Sequence, residues 1–312
     1  MSTTRQVQKV IRSKPTIEGA GVHLKRAFGF AEAPGMDPFL LLDDFRSCDP
    51  RHYVKGFPWH PHRGIETITY VLEGRVAHGD SMGHQDVITA GAVQWMTAGS
   101  GLIHQEMPEG DPAGCMGGFQ LWANLPAVDK MMEPRYRAIG PRDLPIAHVA
   151  PGIQVTVISG TVAGVHGPVR DVVIDPELLD VSMAPDTTFL HPTRAGHTVL
   201  AYVFDGRAAF CPESRPFDYD VEGANYFDFD RGACLGDGAL VLYGDGDEIR
   251  VTTGEHSARF LLMSGRPLRE PVAWYGPIVM NSRAELETAF REYREGTFIR
   301  HADASAPATE ES

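Results

Sequence analysis

At 312 residues the chain is long enough for one large or two ordinary domains, each with its own core. A formal net charge of −13 argues against direct electrostatic binding to nucleic acid or to anionic membranes. Its 33 Gly and 23 Pro suit many short strands joined by turns, and no run of about 18 apolar residues offers a membrane span.

The N-terminal stretch carries Arg5, Lys9, Arg12 and Lys14 but no apolar segment of the kind a signal peptide needs, so a cytoplasmic protein is expected. Cys48, Cys115, Cys211 and Cys234 are scattered without a C-x-x-C, and all four are expected to be reduced packing residues. His60-Pro61-His62-Arg63-Gly64 follows, answered downstream by His104-Gln105-Glu106. Residues two apart on an extended segment share a face, so His60 and His62 can converge on one point, and so can His104 and Glu106. Taken singly, His104 reads as a half-buried histidine and Glu106 as a solvated carboxylate. Together, on neighbouring strands, the two pairs supply three nitrogens and one oxygen, a donor set suited to a first-row transition metal. Between them Glu66–Val76 alternates and meets a turn signal at Glu73-Gly74, and Ala90–Met96 does the same after a Gly-containing turn. Both ligand pairs are thus expected at the ends of β-hairpin segments that a barrel can bring together.

The pattern then repeats. Tyr70–Ala77 aligns with Tyr202–Ala209, and Gly91-Ala92-Val93 with Gly238-Ala239-Leu240, which predicts two similar β-barrel domains. In the second copy the ligand positions fall on Pro192, Arg194, Val251 and Thr253, so it has lost every ligand. His191, His197 and His256 lie nearby but out of register and read as structural or surface residues. The boundary is expected near residues 140–150, where Pro141, Pro145 and Pro151 break the pattern. This gives an N-terminal domain over 1–140 with the metal site and a C-terminal domain over 141–301 without ligands. Within the latter, Asn281–Arg291 has helical spacing, with Asn281 or Ser282 as N-cap and Glu285 completing a capping box if Ser282 holds the cap. Residues 302–312 are small, polar and acidic and are expected to be disordered.

Several stretches together resemble the pirin family, a branch of the cupin superfamily. They are Met36–Phe45, His60–Thr67, Val93–Gly101, His104–Glu106, Gly118–Pro126 and Pro271–Asn281, in the family's order over roughly residues 20–300. The resemblance implies an all-β bicupin fold, two antiparallel β-barrel (jelly-roll) domains with a short C-terminal helix. It also implies one Fe(II) in the N-terminal barrel, held by His60, His62, His104 and Glu106, with other divalent transition metals able to take its place. Glu66 competes, because in cupins generally a Glu follows the H-x-H, but pirin-like chains take the carboxylate from the later H-x-E. Trp59 and Gln105 depart from the family pattern beside the ligands, which bears on substrate fit rather than on metal binding.

Three imidazoles and one carboxylate leave one or two coordination positions open. Phe57, Trp59, Trp95 and Met107 are candidates to line an apolar pocket for a flat ligand, although Trp95 reads better as barrel core. The resemblance implies a quercetin 2,3-dioxygenase-like activity on a flavonol or similar enolic aromatic with O2. Glu106 would be both ligand and general base. The alternative is a metal-dependent, redox-sensing regulator that binds a transcription factor or a metabolic enzyme without turnover. A structural or isomerase-like cupin holding Zn or Mn is a third reading. None of them involves nucleic acid or a membrane directly.

Overall fold

In the computed structural model, residues 2–215, 217–223 and 232–300 are described, so the tail expected to be disordered lies outside them. Among the described residues the regular structure is strand after strand with two short 3-10 turns, Ala33–Gly35 and Pro50–His52, closed by one α-helix of 12 residues, Arg283–Arg294. The chain forms two units. One combines Pro15–Leu24 and Phe39–Pro141 with everything from Arg269 onward, and the other combines the residues up to Lys14 with Lys25–Pro38 and Arg142–Leu268. This is the all-β, two-cupin architecture expected from the sequence. Each unit borrows strands from a distant part of the chain.

Two large sheets and the small pair Ala273–Tyr275 and Ile278–Met280 make up the unit with the H-x-H among the described residues. A four-stranded sheet runs Phe57–His62, Leu102–Glu109, Arg75–Asp80, Gln85–Thr89 in spatial order. In a seven-stranded sheet Ile65–Glu73 lies between Val93–Thr97 and the middle strand, Gly117–Asn124. The Glu73-Gly74 signal is therefore not a hairpin: there the chain leaves the larger sheet and enters the smaller one. Gly74 sits at φ 73°, and a Cβ would lie 2.6 Å from the Glu109 carbonyl oxygen, so the corner needs glycine. The repeat keeps this device. Gly206, at φ 64°, lies within the long Thr198–Ala208 strand of the other unit, where its pairing passes from Ala258–Gly265 to Leu235–Gly236.

That second unit has the larger apolar core, with Val155, Val181, Val199, Ala201, Val203 and Phe260 fully enclosed. Its histidines are committed locally: His191 Nε2 lies 2.9 Å from Glu177 and its ring stacks on Phe189, while His197 meets Ser264. His256 is exposed.

The cysteine expectation is corrected. Cys48 and Cys115 form a disulfide, and among the described residues Cys211 and Cys234 are free. The cause is tertiary: Ser47 and Met116 exchange backbone hydrogen bonds across the sheet edge, which puts the next residues, Cys48 and Cys115, side by side. The helix starts as the spacing predicts, with Ser282 as N-cap and Glu285 closing the capping box.

Candidate metal centre

Alternation along Phe57–His62 turns His60 and His62 to one side, and antiparallel pairing sets His104 directly opposite His60. The donor atoms of the three imidazoles lie within 4.8 Å of one another, a group able to hold a metal ion. His60 Nδ1 lies 2.8 Å from the Pro58 carbonyl oxygen, and His62 Nδ1 3.1 Å from that of Pro277. A carbonyl only accepts, so each Nδ1 carries the hydrogen and each Nε2 presents a lone pair. The two Nε2 atoms face each other at 3.1 Å. Two lone pairs at that separation repel unless a cation lies between them. Nitrogens each about 2.1 Å from one ion, near right or tetrahedral angles, stand about 3.0–3.4 Å apart. Both nitrogens of His104 are buried without a partner, a cost that an ion would relieve at one of them. Burial lowers the pKa of all three imidazoles, so the donors are neutral. The residues fit a divalent metal.

Glu106 stands one layer deeper. Its side chain is buried, and its carboxylate accepts from Thr69 Oγ1 at 2.9 Å and from Gln120 Nε2 at 3.2 Å, rather than joining the mutually close nitrogens. Burial raises its pKa, and the two hydrogen bonds oppose that rise. Glu66 is on the opposite face of its strand from Thr67 and Thr69, where Trp95 Nε1 and Thr97 Oγ1 donate to it at 2.7 and 2.8 Å. It has no path to the histidines.

Behind the H-x-H two buried cations hold the backbone. Arg63 donates to the Ser100 and Phe298 carbonyls and pairs with Glu292 at 2.7 Å. Lys130 Nζ donates to the Gly64 and Val279 carbonyls and to Asn124 Oδ1, and burial pulls its pKa down to about 7. The Ile278–Met280 strand runs beside Arg63, which places the Pro277 carbonyl on His62.

A small, largely apolar cavity of about 20 Å³ lies against Glu106, lined by Val22, Phe45, Tyr53, Phe57 and Val76 among others. Of the four candidate lining residues, only Phe57 reaches it. Trp59 alternates outward and is 40% exposed, Met107 follows Glu106 onto the other face, and Trp95 is core, bonded to Glu66.

Residues 21–123 match the Pirin family and residues 178–299 the Pirin C-terminal cupin domain. The chain belongs to the pirin family. A Pirin-like protein of Caulobacter vibrioides is 40% identical over 295 residues, 94% of this chain and 99% of the relative. Pirin of Homo sapiens is 35% identical over 298 residues, 94% of each. The crystal structure of quercetin 2,3-dioxygenase from Acinetobacter baumannii matches with a TM-score of 0.81 at 28% identity, over 95% of this chain and 98% of that one.

Within this pirin fold the structure adds residues that spacing did not single out. His78, opposite Glu106 in the strand register, is buried 5.5 Å from the His104 ring, and neither of its nitrogens has a partner. Burial lowers its pKa to about 4, and its ring stacks on Tyr136. Trp122 sets its ring edge-on to His62 at 5.0 Å, with its Nε1 buried and unpartnered. The signal was the alternation of Arg75–Asp80 and Gly117–Asn124, which puts His78 and Trp122 on inward faces.

Proposed function

We propose that this pirin-family chain is a metal-dependent dioxygenase of the quercetin 2,3-dioxygenase kind. In this reading one Fe(II) is held by His60, His62 and His104, with Glu106 from the adjoining layer turning in as the fourth ligand, and the substrate is a flavonol or a similar enolic aromatic. The observation that carries it is the pair of Nε2 lone pairs, locked by carbonyls on Nδ1 and aimed at one point beside His104. The likeness to a solved quercetin 2,3-dioxygenase across 95% of the chain supports the substrate class. Bound there, Fe(II) supplies a Lewis acid for substrate oxygens and the redox partner that dioxygen requires. Glu106, its pKa raised by burial, takes the proton of the substrate hydroxyl on a carboxylate oxygen. Thr69 and Gln120 fix the orientation of that carboxylate, and apolar side chains around the cavity keep water from it.

The test is metal content and oxygen uptake on one sample, purified anaerobically and loaded with Fe(II). The expected result is about one iron per chain and quercetin-dependent oxygen consumption, both lost in His62→Ala. Glu106→Gln should keep the fold and lower uptake by about 100-fold or more. Stoichiometric iron with no uptake across a panel of enolic phenols overturns the dioxygenase reading and turns the search to protein partners.

A further inference from the structure

Inward-facing side chains of the H-x-H barrel come in layers, because every second residue of adjacent strands points to the same side. In the deeper layer Thr69 and Gln120, paired across neighbouring strands, both donate to the Glu106 carboxylate. Two residues along the same strands, Thr67 and Trp122 are again direct partners, now at the level of His62, which the Trp122 ring meets edge-on. Thr67 is 1% exposed, and its Oγ1 and the Trp122 Nε1 are both buried with nothing to bond. One layer thus shows a donor pair closed on a carboxylate. The next repeats the donor pair without the acceptor.

We propose that Thr67 and Trp122 are the oxygen-recognition pair of the substrate site: they donate to the oxygens of an enolic ligand whose other contact is the ion on the histidines. This rests on the dioxygenase reading above. An indole N–H can only donate, so the complementary group is an acceptor oxygen, and the enolate oxygen of a 3-hydroxyflavone-type ligand beside a cation supplies one. A ligand without that oxygen leaves two buried donors unpaired, which is how the site would discriminate against it.

The test titrates 3-hydroxyflavone and flavone, which lacks the enolic hydroxyl, into the full-length Zn(II)-loaded chain. Zinc has no redox chemistry, so binding is read by absorbance without turnover. Wild type is expected to bind 3-hydroxyflavone well and flavone poorly. Thr67→Val and Trp122→Phe should each weaken 3-hydroxyflavone binding by about ten-fold with zinc content unchanged, the effect of one lost hydrogen bond to a charged oxygen. Wild-type affinity in both variants overturns the proposal and leaves the dioxygenase reading standing. No binding of 3-hydroxyflavone to zinc-loaded wild type overturns both. Should Trp122→Phe lose zinc or fold through its packing on His62, the near-isosteric Thr67→Val decides alone.

Discussion

Lys130 is an ammonium buried against three acceptor oxygens, and its cost depends on pH. In the folded chain its pKa falls to about 7 from the ordinary 10.5. Between those values the unfolded chain binds the extra proton, so this site makes stability rise with pH across that window. Below about pH 7 the cost of the buried charge is fully present. Lys130→Met should flatten that slope in urea melts at a series of pH values. It should also lose about 2 kcal/mol at neutral pH, because acceptors at Gly64, Asn124 and Val279 lose their donor. The histidines were legible because H-x-H and H-x-E need only alternation to converge, and the same rule turns Glu66 away. Thr67, His78 and Trp122 were legible only as inward-facing positions, not as parts of the site. Each is an ordinary strand residue until the register shows which neighbours it meets and which hydrogen bonds it lacks.

At the scale of elements, the segment from Ala273 to Arg294 works as a strap on the H-x-H strand. Its short Ile278–Met280 strand bridges to Arg63, the Pro277 carbonyl fixes His62, and Glu292 on the helix pairs with the buried Arg63 guanidinium. Arg63→Met leaves the Ser100 and Phe298 carbonyls without their donor and Glu292 with Arg300 alone, and should cost about 3 kcal/mol in denaturant melts. The helix itself is modest. Ser282→Ala, which removes the cap, should cost only about 1 kcal/mol, and the capping box was readable because it is entirely local. Gly74 shows the opposite limit. A strand that turns a corner between sheets carries the same local Glu-Gly signal as a hairpin, and only the choice of distant partners separates them.

Over the whole molecule the partners are far apart in sequence, which explains what the pattern of residues hid. Cys48 and Cys115 meet across 67 positions through the pairing of Ser47 with Met116. A closed loop of that length should contribute about 2–4 kcal/mol. Reducing the bond, or replacing both cysteines by Ser, should lower the denaturation midpoint accordingly without displacing the histidines. The two units likewise close only through distant segments: the barrel of His60 and His104 takes strands from beyond Arg269. Synthesis runs from the N-terminus, so His60, His62 and His104 leave the ribosome long before Pro277, which lies 215 positions after His62. A nascent or prematurely terminated chain carries the imidazoles but not the carbonyl that sets the tautomer of His62. Assembly of the complete donor set is thereby tied to completion of the polypeptide, because only the finished chain holds His62 with its Nε2 lone pair turned toward His60.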